Sequence, residues 1–199
     1  TAEPQRGAEL GTLNILPHGA VLIDGEHILA VGEPAELLLA HPEADLLDAG
    51  GKAVLPGLVD PHTHLVWAGD RVDEFEMRLQ GKTYMEIMAA GGGIAATLQA
   101  TRSASLDELL AQSRERARAA FAHGTTTLEA KTGYGLDIQT ELRQLEVILK
   151  LDEEGPLELI PTYLGAHAIP PEFAGNAEGY TNFLCSEALP AVQAWWQEH

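Results

Sequence analysis

Cysteine and basic residues are scarce in this chain of 199 residues. Its single cysteine, Cys185, excludes an internal disulfide framework and favours a reducing compartment, and we expect the thiol to be buried as a small hydrophobic group. The 12 basic and 30 acidic residues give a formal net charge of −18 at pH 7, which argues against binding to nucleic acid or to anionic membrane surfaces. An anionic substrate must therefore meet a local cation or a metal inside a cleft.

Long apolar runs are also missing. No stretch reaches the roughly 18 consecutive apolar residues that a membrane span needs. Residues 1–6 lack the apolar run of a secretory signal, so we expect a soluble, cytoplasmic protein. Hydrophobic residues nevertheless make up 45% of the chain, which is enough for the buried core of one domain or one and a half.

Residues 1–56 have the pattern of a small β module. The apolar run at 20–23 ends at Asp24-Gly25, which is a strong hairpin signal. A returning strand, a short helix and a further pair of strand edges are predicted at residues 27–31, 34–40 and 46–54. We expect an incomplete β-sandwich that lacks its opening strand.

After residue 56, strands and helices alternate. Strands are predicted near residues 58, 125 and 157, and helices near 84, 106, 138 and 180. This alternation indicates a parallel α/β fold, either doubly wound or a (β/α)8 TIM-type barrel. No glycine-rich dinucleotide fingerprint follows a predicted strand, which favours the barrel. Because a whole barrel needs roughly 250 residues, residues 57–199 are predicted to form its first half.

Several local signals refine this pattern. Thr83 with Glu86, and Ser105 with Glu108, have the spacing of capping boxes at helix starts. The apolar opening of residues 58–65 predicts a strand that is buried on both faces. The helix from about residue 138 has an apolar stripe formed by Leu142, Leu145, Ile148 and Leu149.

The sharpest chemical signal is His62-Thr63-His64. Residues two apart on a strand point to the same face, so the two imidazoles can bind one metal ion from one side. Barrel enzymes place their chemistry at the C-terminal ends of the strands, where this pair is predicted to lie. The alternative is one turn histidine and one exposed histidine without a ligand.

The residues around this pair resemble the first barrel strand of the amidohydrolase superfamily. The run Gly57-Leu58-Val59-Asp60-Pro61-His62-Thr63-His64, continued as Leu65-Val66-Trp67-Ala68-Gly69-Asp70-Arg71, is similar within that superfamily to the imidazolonepropionase family. Residues 80–94, 129–136 and 164–168 resemble three further stretches of the same family. The likeness extends over about residues 20–173, and four motifs in order make chance agreement improbable.

The resemblance implies roles for five residues. His62 and His64 would be ligands of one zinc or iron ion, and Arg71 would bind the propionate carboxylate of the substrate. Tyr134 and His167 would also bind the substrate, His167 as a catalytic residue in contact with the imidazolone ring. The chemistry of arginine supports its role independently, because a planar guanidinium makes bidentate contacts with carboxylates.

Each role has an alternative. Arg71 could instead form a surface salt bridge with a neighbouring carboxylate, and Tyr134 could be an ordinary loop aromatic. His167 could be a metal ligand, and spacing alone does not separate the two roles. Lys131 resembles the metal-bridging lysine of other amidohydrolases, but its imidazolonepropionase-like surroundings suggest a single-metal site. We expect Lys131 to lie in the barrel interior or to support the metal ligands from behind, paired with Glu129 on the same face.

The implied activity is hydrolysis of 4-imidazolone-5-propanoate to N-formimidoyl-L-glutamate in histidine degradation, by a homodimer. By the same resemblance, we expect the remaining metal ligands and the catalytic base of the family to lie on later barrel strands that are not among these 199 residues. We therefore expect a fragment that is inactive and poorly folded alone, since a catalytic zinc normally has three protein ligands. The alternatives are another amidohydrolase, such as a guanine- or cytosine-type deaminase, and an inactive truncated homologue.

Overall fold

The computed structural model describes residues 5–13 and 15–199 and divides the chain into two compact units, Thr1–Val54 and Leu55–His199. The prediction that residues 1–6 carry no secretory signal falls largely outside the described residues. Mixed helices and strands, with two small sheets, confirm the predicted α/β class, whereas no closed barrel is formed by the described residues. None of their helices combines the length and apolar character that crossing a membrane requires.

The first unit contains a β-hairpin and one helix. Strand β1 (Ala20–Asp24) pairs antiparallel with β2 (His27–Gly32), and helix α1 (Pro34–Ala40) follows. The predicted strand edges at residues 46–54 are wrong, because this segment contains turns and no strand. Its two adjacent glycines both have positive φ angles, 60° and 73°, which suit a turn. The described part of this unit is thus a two-stranded sheet and not a β-sandwich.

The second unit is built on a parallel sheet of three strands. Strand β4 (Thr125–Lys131) lies between β3 (Leu58–Thr63) and β5 (Glu158–Thr162), so the strand order in the sheet equals the order in the chain. Pro161 lies within β5 opposite Ala130. It is tolerated there because β5 has only one neighbouring strand among the described residues, and an outward-facing position needs no N–H donor.

Seven helices accompany this sheet in the described part of the chain. They are α2 (Val72–Leu79), α3 (Tyr84–Ala89), α4 (Ile94–Ser103), α5 (Leu106–Ala122), α6 (Ile138–Glu154), α7 (Ala177–Phe183) and α8 (Leu189–Glu198). The sequence predicted helices where α3, α5, α6 and the last two lie, and it missed α2 and α4. A π-helical turn at residues 184–188 joins α7 to α8.

Both predicted capping boxes are formed. The Glu86 N–H donates to the Thr83 hydroxyl at 3.3 Å, and the Glu86 carboxylate accepts from the Thr83 N–H at 2.8 Å. The corresponding distances between Glu108 and Ser105 are 3.2 and 2.8 Å. Each box satisfies two N–H groups that a helix start leaves without intrahelical partners, which fixes where α3 and α5 begin.

The main core lies between the sheet and helices α5 and α6. Its buried members include Leu65, Val66, Leu109, Leu128, Leu145, Val147, Ile148, Leu151 and Leu159. Leu145 and Ile148 confirm half of the predicted stripe of α6, and Leu142 packs against the same cluster while partly buried. Burial of these side chains stabilises the unit by about 1.5–3 kcal/mol each.

Two burial predictions are wrong. Leu58 and Val59 of β3 are 55% and 65% exposed, although we expected this strand to be buried on both faces. The reason is its position, because β3 is an edge strand with β4 as its only partner among the described residues. Cys185 is exposed and not buried, since it lies on the outer side of the π-helical turn.

Candidate active site

Four of the five predicted site residues meet at one edge of the parallel sheet. His62 belongs to the end of β3, and His64 comes directly after it. Tyr134 lies in the loop that follows β4, and His167 ends a short 3-10 turn after β5. Because parallel strands have their C-terminal ends at the same edge, three separate stretches of chain deliver these side chains to one place.

The ring distances show how closely they gather around His64. The centroid of its ring lies 4.5 Å from that of His167 and 4.9 Å from that of Tyr134. The rings of Tyr134 and His167 are 5.6 Å apart and almost perpendicular. The His62 ring is 6.2 Å from that of His64, and its side chain is the more exposed of the pair. The cluster is therefore open on the side of His62.

Gly133 allows the Tyr134 loop to approach the His167 turn. Its φ angle of 111° is one that residues with a side chain rarely adopt. A Cβ atom at this position would lie 2.7 Å from the His167 Cβ and 2.9 Å from the Leu164 carbonyl oxygen. The contact between the two strand ends thus depends on the absence of a side chain at residue 133.

Burial and neighbouring imidazoles lower the pKa values of His64 and His167, which favours their uncharged forms at neutral pH. Desolvation, followed by the nearby His167, lowers the pKa of His64 to about 4, although a hydrogen bond with the Thr132 backbone acts in the opposite direction. The pKa of His167 is also lowered, chiefly by desolvation and then by His62. A neutral imidazole has a free lone pair, which is the form that binds a metal ion or accepts a proton.

The residues fit part of a metal site. The Nδ1 atom of His64 is buried and has no hydrogen-bond partner in the part of the chain that the structure describes, which marks it as an atom suited to a ligand. Within those same residues, no group of three or more His, Cys, Asp or Glu side chains is arranged to hold an ion. His62 and His64 therefore form one side of a possible ligand set and need further ligands.

Arg71 belongs to a different group of side chains. It precedes α2, where its Nε donates to the Thr97 hydroxyl at 3.1 Å and lies 3.8 Å from a carboxylate oxygen of Glu74. The same oxygen of the buried Glu74 accepts from the Gly93 N–H at 2.6 Å. The salt bridge that the sequence offered as an alternative for Arg71 is thus present. Among the described residues, both contacts of Arg71 are made by Nε, so its two terminal nitrogens can donate to another acceptor.

Lys131 and Glu129 form the ion pair that their spacing on β4 predicted. The same Glu129 oxygen accepts from the Thr162 hydroxyl at 2.7 Å, and its backbone carbonyl accepts from the Thr63 hydroxyl at 2.9 Å. Hydrogen bonds from Lys131 and then Thr162 lower the pKa of the Glu129 carboxyl. This group links the ends of all three strands directly beneath the histidine cluster.

The sequence reasoning missed the polar side chains that hold the segment after β3. Arg116 donates to the carbonyls of Leu65 and Trp67 at 3.1 and 2.9 Å, and its guanidinium lies 3.6 Å from the centre of the Trp67 ring. The fully buried Gln144 donates to the Val66 carbonyl at 2.7 Å. For Gln144, the sequence offered one signal: it is a polar residue beside the apolar Leu145, on the side of α6 that faces the core.

Comparison with known proteins places this geometry in a family. Residues 19–44 match the family model described as "Imidazolonepropionase-like composite domain, bacteria". The chain is 49% identical over 195 residues to the imidazolonepropionase of Herpetosiphon aurantiacus, which covers 98% of this chain and 45% of that protein. It is 48% identical over 192 residues to that of Chloroflexus aggregans (96% of this chain, 45% of the relative).

A third relative, the imidazolonepropionase of Brevibacillus brevis, is 45% identical over 196 residues, which are 96% of this chain and 46% of that protein. The chain thus spans a little under half the length of the curated relatives it matches. The resemblance extends over both compact units and includes the strand ends that carry the histidines. The chain belongs to the imidazolonepropionase family.

Proposed function

We propose that the protein acts in hydrolysis of 4-imidazolone-5-propanoate to N-formimidoyl-L-glutamate, a step of histidine degradation. The observation that carries the proposal is the meeting of His62, His64, Tyr134 and His167 at the C-terminal edge of the sheet. Relatives with 45–49% identity to this chain bear the name imidazolonepropionase.

The proposed architecture is the first half of a TIM-type barrel at residues 57–199, preceded by a small incomplete β module at 1–56. Three parallel strands in chain order, each followed by helices, support this architecture. A site at the C-terminal ends of the strands is where such a barrel places its chemistry.

His62 and His64 would hold one zinc or iron ion together with ligands beyond this pair. When bound, such an ion supplies a hydroxide nucleophile at neutral pH and polarises a carbonyl group. Two features of the chain support this role: the buried, unpartnered Nδ1 of His64 and the open side of the cluster at His62.

The remaining residues would bind and orient the substrate. Arg71 would pair with the propionate carboxylate, through the terminal nitrogens that its contacts with Thr97 and Glu74 leave to a further acceptor. Tyr134 and His167, with rings 5.6 Å apart, would contact the imidazolone ring. Such positioning contributes up to about 7–11 kcal/mol to the rate.

The proposed reaction adds one water molecule across a ring C–N bond. Hydroxide attacks the ring carbonyl carbon and forms a tetrahedral adduct, whose collapse breaks the C–N bond. The carbonyl becomes the carboxylate of the product, and the released nitrogen takes up a proton. His167, uncharged at neutral pH because desolvation lowers its pKa, is the side chain of this cluster that would hold the ring and stabilise the developing charge.

We further propose that the active enzyme is a cytoplasmic homodimer and that its substrate is the small molecule imidazolonepropanoate. The single cysteine favours a reducing compartment. The family resemblance, and not a feature of the surface, supports the dimer.

The experiment compares the 199-residue chain with a hybrid enzyme, in which this chain replaces the matching segment of the Herpetosiphon aurantiacus imidazolonepropionase. We expect turnover of imidazolonepropanoate by the hybrid enzyme, with metal bound, and none by the chain alone. A matched variant, His64→Asn, should lose both metal and turnover. Deamination of aminopurines or aminopyrimidines instead of ring opening, or a hybrid that folds and binds metal without either activity, would refute the proposal.

A further inference from the structure

A buried carboxylate without a role in the proposed mechanism lies behind the Tyr134 loop. Glu141, in the first turns of α6, is 1% exposed. It lies one helical turn before Leu145 on the buried face, where an apolar residue would be expected. Burial of a carboxyl group costs free energy unless hydrogen bonds compensate it, so its presence requires a structural reason.

The reason is a set of backbone N–H groups that all donate to this one side chain. Gly133 N–H lies 3.1 Å from both carboxylate oxygens, and the N–H groups of Gly135 and Leu136 each lie 2.8 Å from Oε1. Three of the four residues from 133 to 136 are thus held by Glu141. The fourth, Tyr134, is carried between them and projects its ring towards His64.

The loop adopts a conformation that it would not keep by itself. Leu136 has a φ angle of 57°, the single positive value among non-glycine residues in the described ranges, and Gly133 has 111°. A left-handed residue with a bulky side chain is strained and persists only when its surroundings hold it. The hydrogen bond from Leu136 to Glu141 is one such restraint, and Arg102 supplies another by donating to the Gly135 carbonyl at 2.7 Å.

Thr132 connects this arrangement to the His167 side of the site. Its hydroxyl accepts from the Leu164 N–H at 2.8 Å, and the N–H of the next residue, Gly133, donates to the Glu141 carboxylate. Leu164 in turn begins the turn that carries His167, since the His167 N–H donates to the Leu164 carbonyl at 3.0 Å. Residues 132 and 133 thus join the loop that Glu141 holds to the turn that carries His167, while the contacts of Glu141 itself lie on the Tyr134 loop.

We propose that Glu141 is a positioning residue for substrate binding, which acts by fixing the loop that presents Tyr134. The inference rests on the proposed function, because it assigns the purpose of the loop to recognition of the imidazolone ring. Glu141 touches no substrate itself. Its effect on binding passes through Tyr134 and is absent when the phenol is absent.

The kinetic test uses Glu141→Gln in the hybrid enzyme. Glutamine keeps one oxygen to accept from the loop, but it places an amide donor where the second oxygen faces the Gly133 N–H. We expect KM for imidazolonepropanoate to rise about tenfold, equivalent to about 1.4 kcal/mol, with kcat changed less than about twofold. Glu146→Gln, the same replacement at a more exposed position of α6, should leave both constants unchanged.

A double-mutant cycle separates positioning from a merely structural role. In the Tyr134→Ala background, Glu141→Gln should raise KM by less than about twofold, because the two substitutions remove the same contact. If the effects of the two substitutions multiply, or if Glu141→Gln lowers kcat and leaves KM unchanged, the proposal is overturned. Glu141→Asp keeps the negative charge but moves the oxygens away from the loop by one methylene, so we expect it to raise KM as well. This variant provides the same test if Glu141→Gln does not fold.

A second measurement keeps this proposal distinct from the proposed activity. Hydrogen exchange of residues 132–137 is followed in the metal-free hybrid enzyme, with Glu146→Gln as the control. We expect about tenfold faster exchange in Glu141→Gln only, since the amide oxygen of glutamine is an uncharged and weaker acceptor for the N–H groups of Gly133, Gly135 and Leu136. Unchanged exchange would refute the role of Glu141, whereas a wild-type hybrid without turnover would refute the activity and leave this result standing.

Discussion

Replacement of Gly133 by alanine tests whether the two strand ends are packed as closely as the geometry indicates. The new methyl group would meet the His167 Cβ at 2.7 Å and the Leu164 oxygen at 2.9 Å. Two costs add: the strain of a side chain at φ 111°, about 1–3 kcal/mol, and overpacking, about 1–3 kcal/mol. A matched variant that has only the first cost is Gly175→Ala, because Gly175 has φ 77° and open space around the position of its Cβ.

The assay is urea unfolding of the hybrid enzyme, followed by tryptophan fluorescence. We expect Gly133→Ala to lower the free energy of unfolding by about 1–3 kcal/mol more than Gly175→Ala, which is the overpacking cost alone. In the hybrid enzyme, the same variant should reduce turnover, because the methyl group displaces the turn that carries His167. Gly175→Ala should retain activity.

The reasoning fails if the two alanine variants have equal unfolding free energies. Equal values would mean that the loop and the His167 turn move apart without cost, so that their contact in the structure does not stabilise the chain. A Gly133→Ala variant with full turnover would contradict the same reasoning from the side of function.

Three further predictions concern stability, all measured by urea unfolding of the hybrid enzyme. Ser105→Ala removes the capping box of α5 and should cost about 0.5–2 kcal/mol; an unchanged midpoint would contradict it. Arg116→Leu removes the stacking on Trp67 and two backbone hydrogen bonds and should cost about 2–3 kcal/mol, against less than about 0.5 kcal/mol for the exposed Arg118→Leu. Because the folded pKa of His64 is about 4 and its ordinary value 6.5, the metal-free hybrid enzyme should lose stability as pH falls from 6.5 towards 4. His64→Asn should flatten that pH dependence, and parallel curves would refute it.

Local signals in the sequence predicted local structure well. The capping boxes at Thr83 and Ser105 formed as their spacing required, because all of their hydrogen-bonding groups lie within four residues. Burial depends on neighbours that are distant in sequence. The apolar residues of β3 therefore predicted a doubly covered strand, whereas its position at the edge of the described sheet leaves Leu58 and Val59 exposed.

In the candidate site, too, the residues of local motifs were predicted and a residue outside those motifs was missed. His62, His64, Tyr134 and His167 were identified from motifs at strand ends, and parallel strand order was sufficient to bring them together. Glu141 was missed because its role lies in contacts with a loop whose path the sequence pattern does not reveal.

The loops at this edge of the sheet also depend on a residue far along the chain. The buried phenol of Tyr180, on α7, donates to the Gly165 carbonyl at 2.5 Å and lies 3.4 Å from the Leu136 carbonyl. Its phenol therefore joins, through hydrogen bonds, the turn that carries His167 and the loop that carries Tyr134. Because the chain is synthesised from its N-terminus, residues 136 and 165 emerge from the ribosome before Tyr180, and the hydrogen bonds that join them through its phenol can form only after α7 has emerged.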